Sequence, residues 1–152
     1  NYTAVGGTVN LASRLEAVPT IYGCQIAIGP RAAELAQNEF LFRELDTIRV
    51  KGGDKPLPVF EPLAERALAT PEQAEGVRRY GEALAHYRAM RFAEAHAIWD
   101  QLARAERTST HHSSGGPESG ASPPSVMAER AKAFATNPPT APWDGAWILA
   151  SK

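Results

Sequence analysis

Tyr2-Thr3-Ala4-Val5-Gly6-Gly7-Thr8-Val9-Asn10-Leu11-Ala12-Ser13-Arg14-Leu15-Glu16 passes from a short aromatic and β-branched segment, through two glycines, into a run with helical spacing. Thr8 stands where an N-cap would, before a helix expected to reach about Ala17. The order is therefore strand, tight turn, helix. Glycines at such a turn let the backbone approach a ligand closely, and the free N–H groups at the helix start suit a phosphate. Asn10 and Arg14 fall at i and i+4 and project the same way, while Val9, Leu11, Ala12 and Leu15 can face a core. An arginine offers a fork of donors to phosphoryl oxygens, and an asparagine can orient a sugar hydroxyl. Taken alone, the same pair also suits an ordinary amphipathic helix with its polar residues in solvent.

Beyond this helix, residues 21–28 read as a strand, 30–37 as a short helix with Pro30 at its start, and 40–50 as a strand region. Phe42, Leu45, Ile48 and Val50 are its candidate inward residues. Gly52-Gly53-Asp54 reads as a turn, and 57–63 as a further strand that Pro58 suits to a sheet edge. The single cysteine, Cys24, lies in the apolar stretch Cys24-Gln25-Ile26-Ala27-Ile28 and reads as a buried strand residue rather than a nucleophile or ligand.

From Glu65 the character changes to alanine-rich helix. Pro71 opens one helix with Val77, Tyr80, Ala83, Leu84 and Tyr87 at helical spacing; after a break at Met90-Arg91, a second carries Phe92, Ala95, Ile98, Trp99 and Leu102. Residues 65–107 are thus expected to form a hairpin that looks like one tetratricopeptide-type unit, and one such unit is too few for a solenoid. Residues 108–124 are rich in Ser, Gly, Pro and His and read as a flexible loop in which His111 and His112 are solvated. Residues 125–152 are expected to form a helix stopped by Asn137-Pro138-Pro139, then a turn at Trp143-Asp144-Gly145 into a short strand.

The 152 residues are 43% hydrophobic, enough for one modest domain or two small units. With 16 Lys and Arg against 17 Asp and Glu and no basic stripe, no nucleic-acid partner is expected. A lone cysteine gives no disulfide framework, so a reducing compartment fits. No apolar run is long enough to span a membrane, so this segment is expected to make no direct membrane contact.

The opening motif, with Val50-Lys51-Gly52 downstream, resembles the C-terminal half of a class III adenylate/guanylate cyclase catalytic domain over residues 1–63. The resemblance implies an α+β fold: the later half of a ferredoxin-like cyclase domain over residues 1–64, followed by the helical tail. It implies that Asn10 orients the ribose, Arg14 stabilises phosphoryl charge in the transition state, Lys51 holds the terminal phosphates and Thr3 recognises the purine. A threonine hydroxyl can accept from the adenine amino group, which favours ATP over GTP. The implied reaction is attack of the ribose 3′ oxygen on the α-phosphorus, giving cyclic AMP and pyrophosphate. The implied cofactor is Mg²⁺ or Mn²⁺, held by two aspartates upstream of the motif. The implied partner is a second cyclase catalytic domain, as in a homodimer whose sites form between the two.

Gly7 departs from the family's usual Asp or Asn. The chain starts at Asn1, inside the motif and without Met, so it is expected to be a fragment that is inactive alone. The Asn-Pro-Pro and Trp-Asp-Gly ending resembles the tail of bacterial cyclases with an extracellular sensor and transmembrane helices, implying a cytoplasmic segment of a membrane-anchored parent. The alternative is a non-catalytic cyclase-homology scaffold whose helical tail docks a partner. A purely helical interaction protein would leave residues 1–63 as coincidence.

Overall fold

The computed structural model describes residues 7–50, 55–109 and 120–150, with the side chains of 7–13 and of Val50 outside that description. Its elements run α1 (Gly7–Tyr22), α2 (Pro30–Leu35), β1 (Phe40–Val50), β2 (Leu57–Glu65), α3 (Pro71–Arg88), α4 (Phe92–Ser109), α5 (Pro123–Thr136) and β3 (Trp147–Leu149). The result is an α+β arrangement of helices on a three-stranded sheet of order β2-β1-β3.

β1 carries the architecture. Its sequence, Phe40-Leu41-Phe42-Arg43-Glu44-Leu45-Asp46-Thr47-Ile48-Arg49-Val50, is rich in residues that favour strands, and it pairs antiparallel with β2. β2 lies at the sheet edge, where Pro58 costs no central ladder bond. The register shifts between Glu44 and Asp46, so Leu45 is an extra residue in β1. That bulge breaks simple alternation and lets Leu45, Asp46 and Ile48 all become fully buried. On its other side β1 pairs in parallel with β3, matching Ile48 to Trp147 and Val50 to Leu149. Among the described residues, β3 thus joins a strand far from it in sequence.

The first helix corrects the sequence reading. It does not stop near Ala17 but continues through Pro19 to Tyr22, and residues 21–28 form no strand. Gly23 ends it in the left-handed region at φ 71°, with its N–H and that of Cys24 donating to the Pro19 carbonyl. The pairing left in the expected strand is one bridge between Ile28 and Phe60. Cys24 is accordingly a half-buried residue of the turn.

The helical half forms as its caps dictate. Thr70 and Gln73 make a reciprocal capping box at the start of α3, with Pro71 at the first helical position. Ser122 and Ser125 do the same for α5, which therefore starts at Pro123, inside the expected loop; α4 likewise runs on to Ser109. Between α3 and α4, Met90 takes φ 61° while Arg91 N–H reaches the His86 carbonyl, a helix stop at a position where glycine is usual.

Most of the expected stripes are buried, with Tyr80, Ala83, Leu84 and Tyr87 meeting Phe92, Ala95, Trp99 and Leu102, while Val77 and Ile98 are half-buried. α3 also packs on β1, and α5 on α4 and α1. One cluster joins Val18 and Tyr22 of α1, Leu45 and Ile48 of β1, Val59 of β2, the hairpin residues, Met127 and Ala131 of α5, and Leu149 of β3.

Candidate functional site

Asn10 and Arg14 both lie on α1, one helical turn apart, as the opening motif predicts. Arg14 is half-buried. Lys51 follows Val50, the last residue of β1, and falls with Thr3 outside the described residues. α1 is held by its C-terminal half, where Val18 and Tyr22 are fully buried and Leu15 and Ile21 pack against the core.

The strongest polar cluster is at that buried end. Tyr22 Oη donates to Asp46 Oδ2 at 2.5 Å, and Arg130 Nη1, from α5, donates to the same oxygen at 2.5 Å. Asp46 Oδ1 accepts from the Thr47 backbone N–H at 2.8 Å. The Arg130 guanidinium lies 3.8 Å from the centre of the Trp147 ring and 5.2 Å from that of Tyr22. Asp46 is fully buried and Arg130 is 9% exposed. Burial pushes the Asp46 carboxyl above its ordinary range, with Arg130, Tyr22 and Thr47 pulling it back. Burial likewise raises the Tyr22 hydroxyl, and the Asp46 charge raises it further.

A second ion pair network sits further back on β1. Arg43 gives Nε and Nη2 to Glu61 Oε2 at 3.0 and 2.7 Å, and Nη1 to Glu106 at 2.6 Å. Its guanidinium lies 5.2 Å from the Tyr80 ring centre. Burial raises Glu61 above its ordinary value, with Arg43 opposing. Burial, then the Glu61 charge, push the nearby Cys24 thiol up to about 12. Such a thiol stays protonated near neutrality and makes a poor nucleophile.

The Asp46 network buries its charges, whereas the Arg43 network runs from buried Arg43 out to Glu106, whose side chain is 39% exposed; both tie together elements distant in sequence. Sequence reasoning missed Asp46 and Arg130. The available signal was an aspartate inside a strand-forming run, which needs a partner once buried.

A groove of about 440 Å³ between α4 and α5 is lined by Asp100, Arg107, Ser125 and Glu129 among others, and by none of the candidate residues. Among the described residues, no group of three or more His, Cys, Asp or Glu is placed to hold a metal ion. The described residues therefore do not fit the implied divalent cation. Among them also, no helix is long and apolar enough to cross a membrane.

With this geometry in place, one curated protein is similar over 72 residues, at 36% identity. It is Adenylate cyclase 1 of Rhizobium meliloti (strain 1021). The match covers 47% of this chain and 11% of that protein's length. No protein-family model matches the chain. No solved structure matches it. The similarity supports a relationship to cyclases at that coarse level.

Proposed function

We propose that the chain is part of an adenylate cyclase that converts ATP to cyclic AMP and pyrophosphate. The observation that carries this reading is the motif at residues 2–16, with Asn10 and Arg14 one turn apart on α1, in a chain similar over 72 residues to an adenylate cyclase. In this reading α1 presents two side chains to a nucleotide seated between two catalytic domains. Asn10 holds the ribose so that its 3′ oxygen faces the α-phosphorus. Arg14 donates to the phosphoryl oxygens as charge builds on them, an interaction stronger in the transition state than in the ground state. Lys51 neutralises the terminal phosphates, which leave as pyrophosphate, and the Thr3 hydroxyl accepts from the adenine amino group. The divalent cation that the resemblance implies would be held by residues other than the described ones. The tail's resemblance extends the proposal to a membrane-anchored parent with this segment in the cytoplasm.

The test is cyclic AMP formation by a protein carrying this chain together with the metal-binding half of the catalytic domain, beside the same protein with Arg14→Ala. Loss of one such donor is expected to cost roughly 10² to 10³ in turnover. If the unsubstituted protein forms no cyclic nucleotide from ATP or GTP with Mg²⁺ or Mn²⁺, the reading fails, and a regulatory cyclase-homology domain takes its place.

A further inference from the structure

The Asp46 cluster uses no residue of the proposed chemistry, yet it fixes the helix on which that chemistry depends. Tyr22 ends α1, two turns beyond Arg14 and so about 12 Å along the axis at ~1.5 Å per residue. Asp46 stands on β1, and Arg130 comes from α5 in the C-terminal segment. Arg130 donates to Asp46 at 2.5 Å, reaches the Tyr22 hydroxyl at 3.5 Å and stacks on Trp147 of β3 at 3.8 Å. One side chain thus ties α1, β1, α5 and β3 together.

We propose that Arg130 is a positioning residue for the nucleotide site: through Tyr22 and Asp46 it locks α1 against β1, and so sets where Asn10 and Arg14 stand. This rests on the reading given under Proposed function.

Two observations carry it. Apolar packing would hold a helix against a strand at no desolvation cost, so buried charges are a poor choice for adhesion alone. What they add is direction, because a hydrogen bond such as that from Tyr22 to Asp46 weakens steeply once its angle falls below about 120° or its length leaves the usual range. The second is the seat of the α1 terminus. A Cβ on Gly23 would come within 2.8 Å of the Ala121 carbonyl carbon and oxygen, so the turn ending α1 lies directly against the backbone leading into α5. The helix is thus located by a close backbone contact and by a directional clamp from the same C-terminal segment. A displacement of about 1 Å at a reacting group can cost as much as ~10²-fold in rate.

The test uses the full-length protein, with Arg130→Met, Tyr22→Phe, Arg130→Lys and the Arg130→Met/Tyr22→Phe double variant. In hydrogen exchange, Arg130→Met is expected to speed exchange across α1 by more than across α3 and α4. Its kcat is expected to fall roughly 10- to 100-fold with KM for the nucleotide unchanged. Tyr22→Phe should move the same quantities in the same direction by less, and the double variant should be little worse than Arg130→Met, since both act on one clamp. Arg130→Lys should recover part of kcat. If Arg130→Met does not fold, Tyr22→Phe removes only a hydroxyl and still decides the matter. Unchanged α1 exchange in Tyr22→Phe and Arg130→Met, or a loosened α1 with unchanged kcat, overturns the proposal. Activity sensitive to Arg14→Ala but indifferent to Arg130 and Tyr22 overturns this inference alone, whereas a protein that forms no cyclic nucleotide overturns both readings.

Discussion

The hairpin side and the β1 side of this molecule are held by different physics. Around Tyr87, rings of Phe92, Trp99 and Trp143 pack with centroids 5.5, 5.5 and 5.0 Å away, and Phe134 stacks at 6.0 Å. Here even a polar atom can go without: Trp99 Nε1 is buried with no hydrogen-bond partner among the described residues. Around β1 the reverse holds, since every oxygen of the buried Asp46 has a partner. Apolar contact is non-directional and forgiving, whereas a buried charge fixes one arrangement and depends on each of its partners.

The sharpest way to break that contrast is to strand a charge. Asp46→Ala leaves Arg130 buried beside an emptied carboxylate position, and denaturant unfolding should show a loss of about 3–5 kcal/mol. Met127→Leu, at an equally buried site against the hairpin, is expected to cost less than about 1.5 kcal/mol. Equal costs at the two sites would mean that the β1 side is held by packing after all.

A smaller effect, of opposite sign, should come from the link between α3 and α4. Met90 holds φ 61° with 37% of its surface exposed, so Met90→Gly relieves backbone strain without emptying a core site. The expected gain is about 0.5–1 kcal/mol, because glycine's greater freedom in the unfolded chain offsets part of the relief.

The remaining test concerns pH. Cys24, beside the charged network, is pushed up to about 12 from 9.0, and Tyr87, among the rings, to about 12 from 10.0, with burial the first cause in both. The folded chain therefore keeps protons that the unfolded chain releases, and stability falls as pH climbs from about 9 towards 12. Thiolate absorbance of the folded protein should rise near pH 12, and in denaturant near 9. A folded-state midpoint near 9 would show Cys24 to be open to solvent.

What the sequence made legible follows the same division. The hairpin declared itself through Pro71, the 3.6-residue spacing of Tyr80, Leu84 and Tyr87, and the break at Met90, because each is a local signal. β1 and the edge strand β2 were equally plain, since β-branched and aromatic residues run between turn residues. The end of α1 was not, because Pro19 reads as a stop while Gly23, the real terminus, sits inside an apolar stretch that looks like a strand. The bulge at Leu45 was hidden for another reason: only the pairing partner reveals an extra residue. Of the candidate site, the spacing of Asn10 and Arg14 was readable, but the support beneath it was not. Tyr22, Asp46 and Arg130 are separated by long stretches of chain, and no local pattern announces that a lone aspartate in one strand will meet an arginine from a distant helix.

The distance between those partners has a consequence for synthesis. Asp46 and Arg130 are 84 residues apart, and Tyr22 and Arg130 108 apart. At translation rates of ~5–20 residues per second, on the order of ten seconds pass between the emergence of β1 and that of its counter-charge. Throughout that interval Asp46 is better off hydrated than buried, which opposes early closure of α1 on β1. α5 acts as a timer, and a ribosome that stalls before it leaves α1 and β1 unlatched.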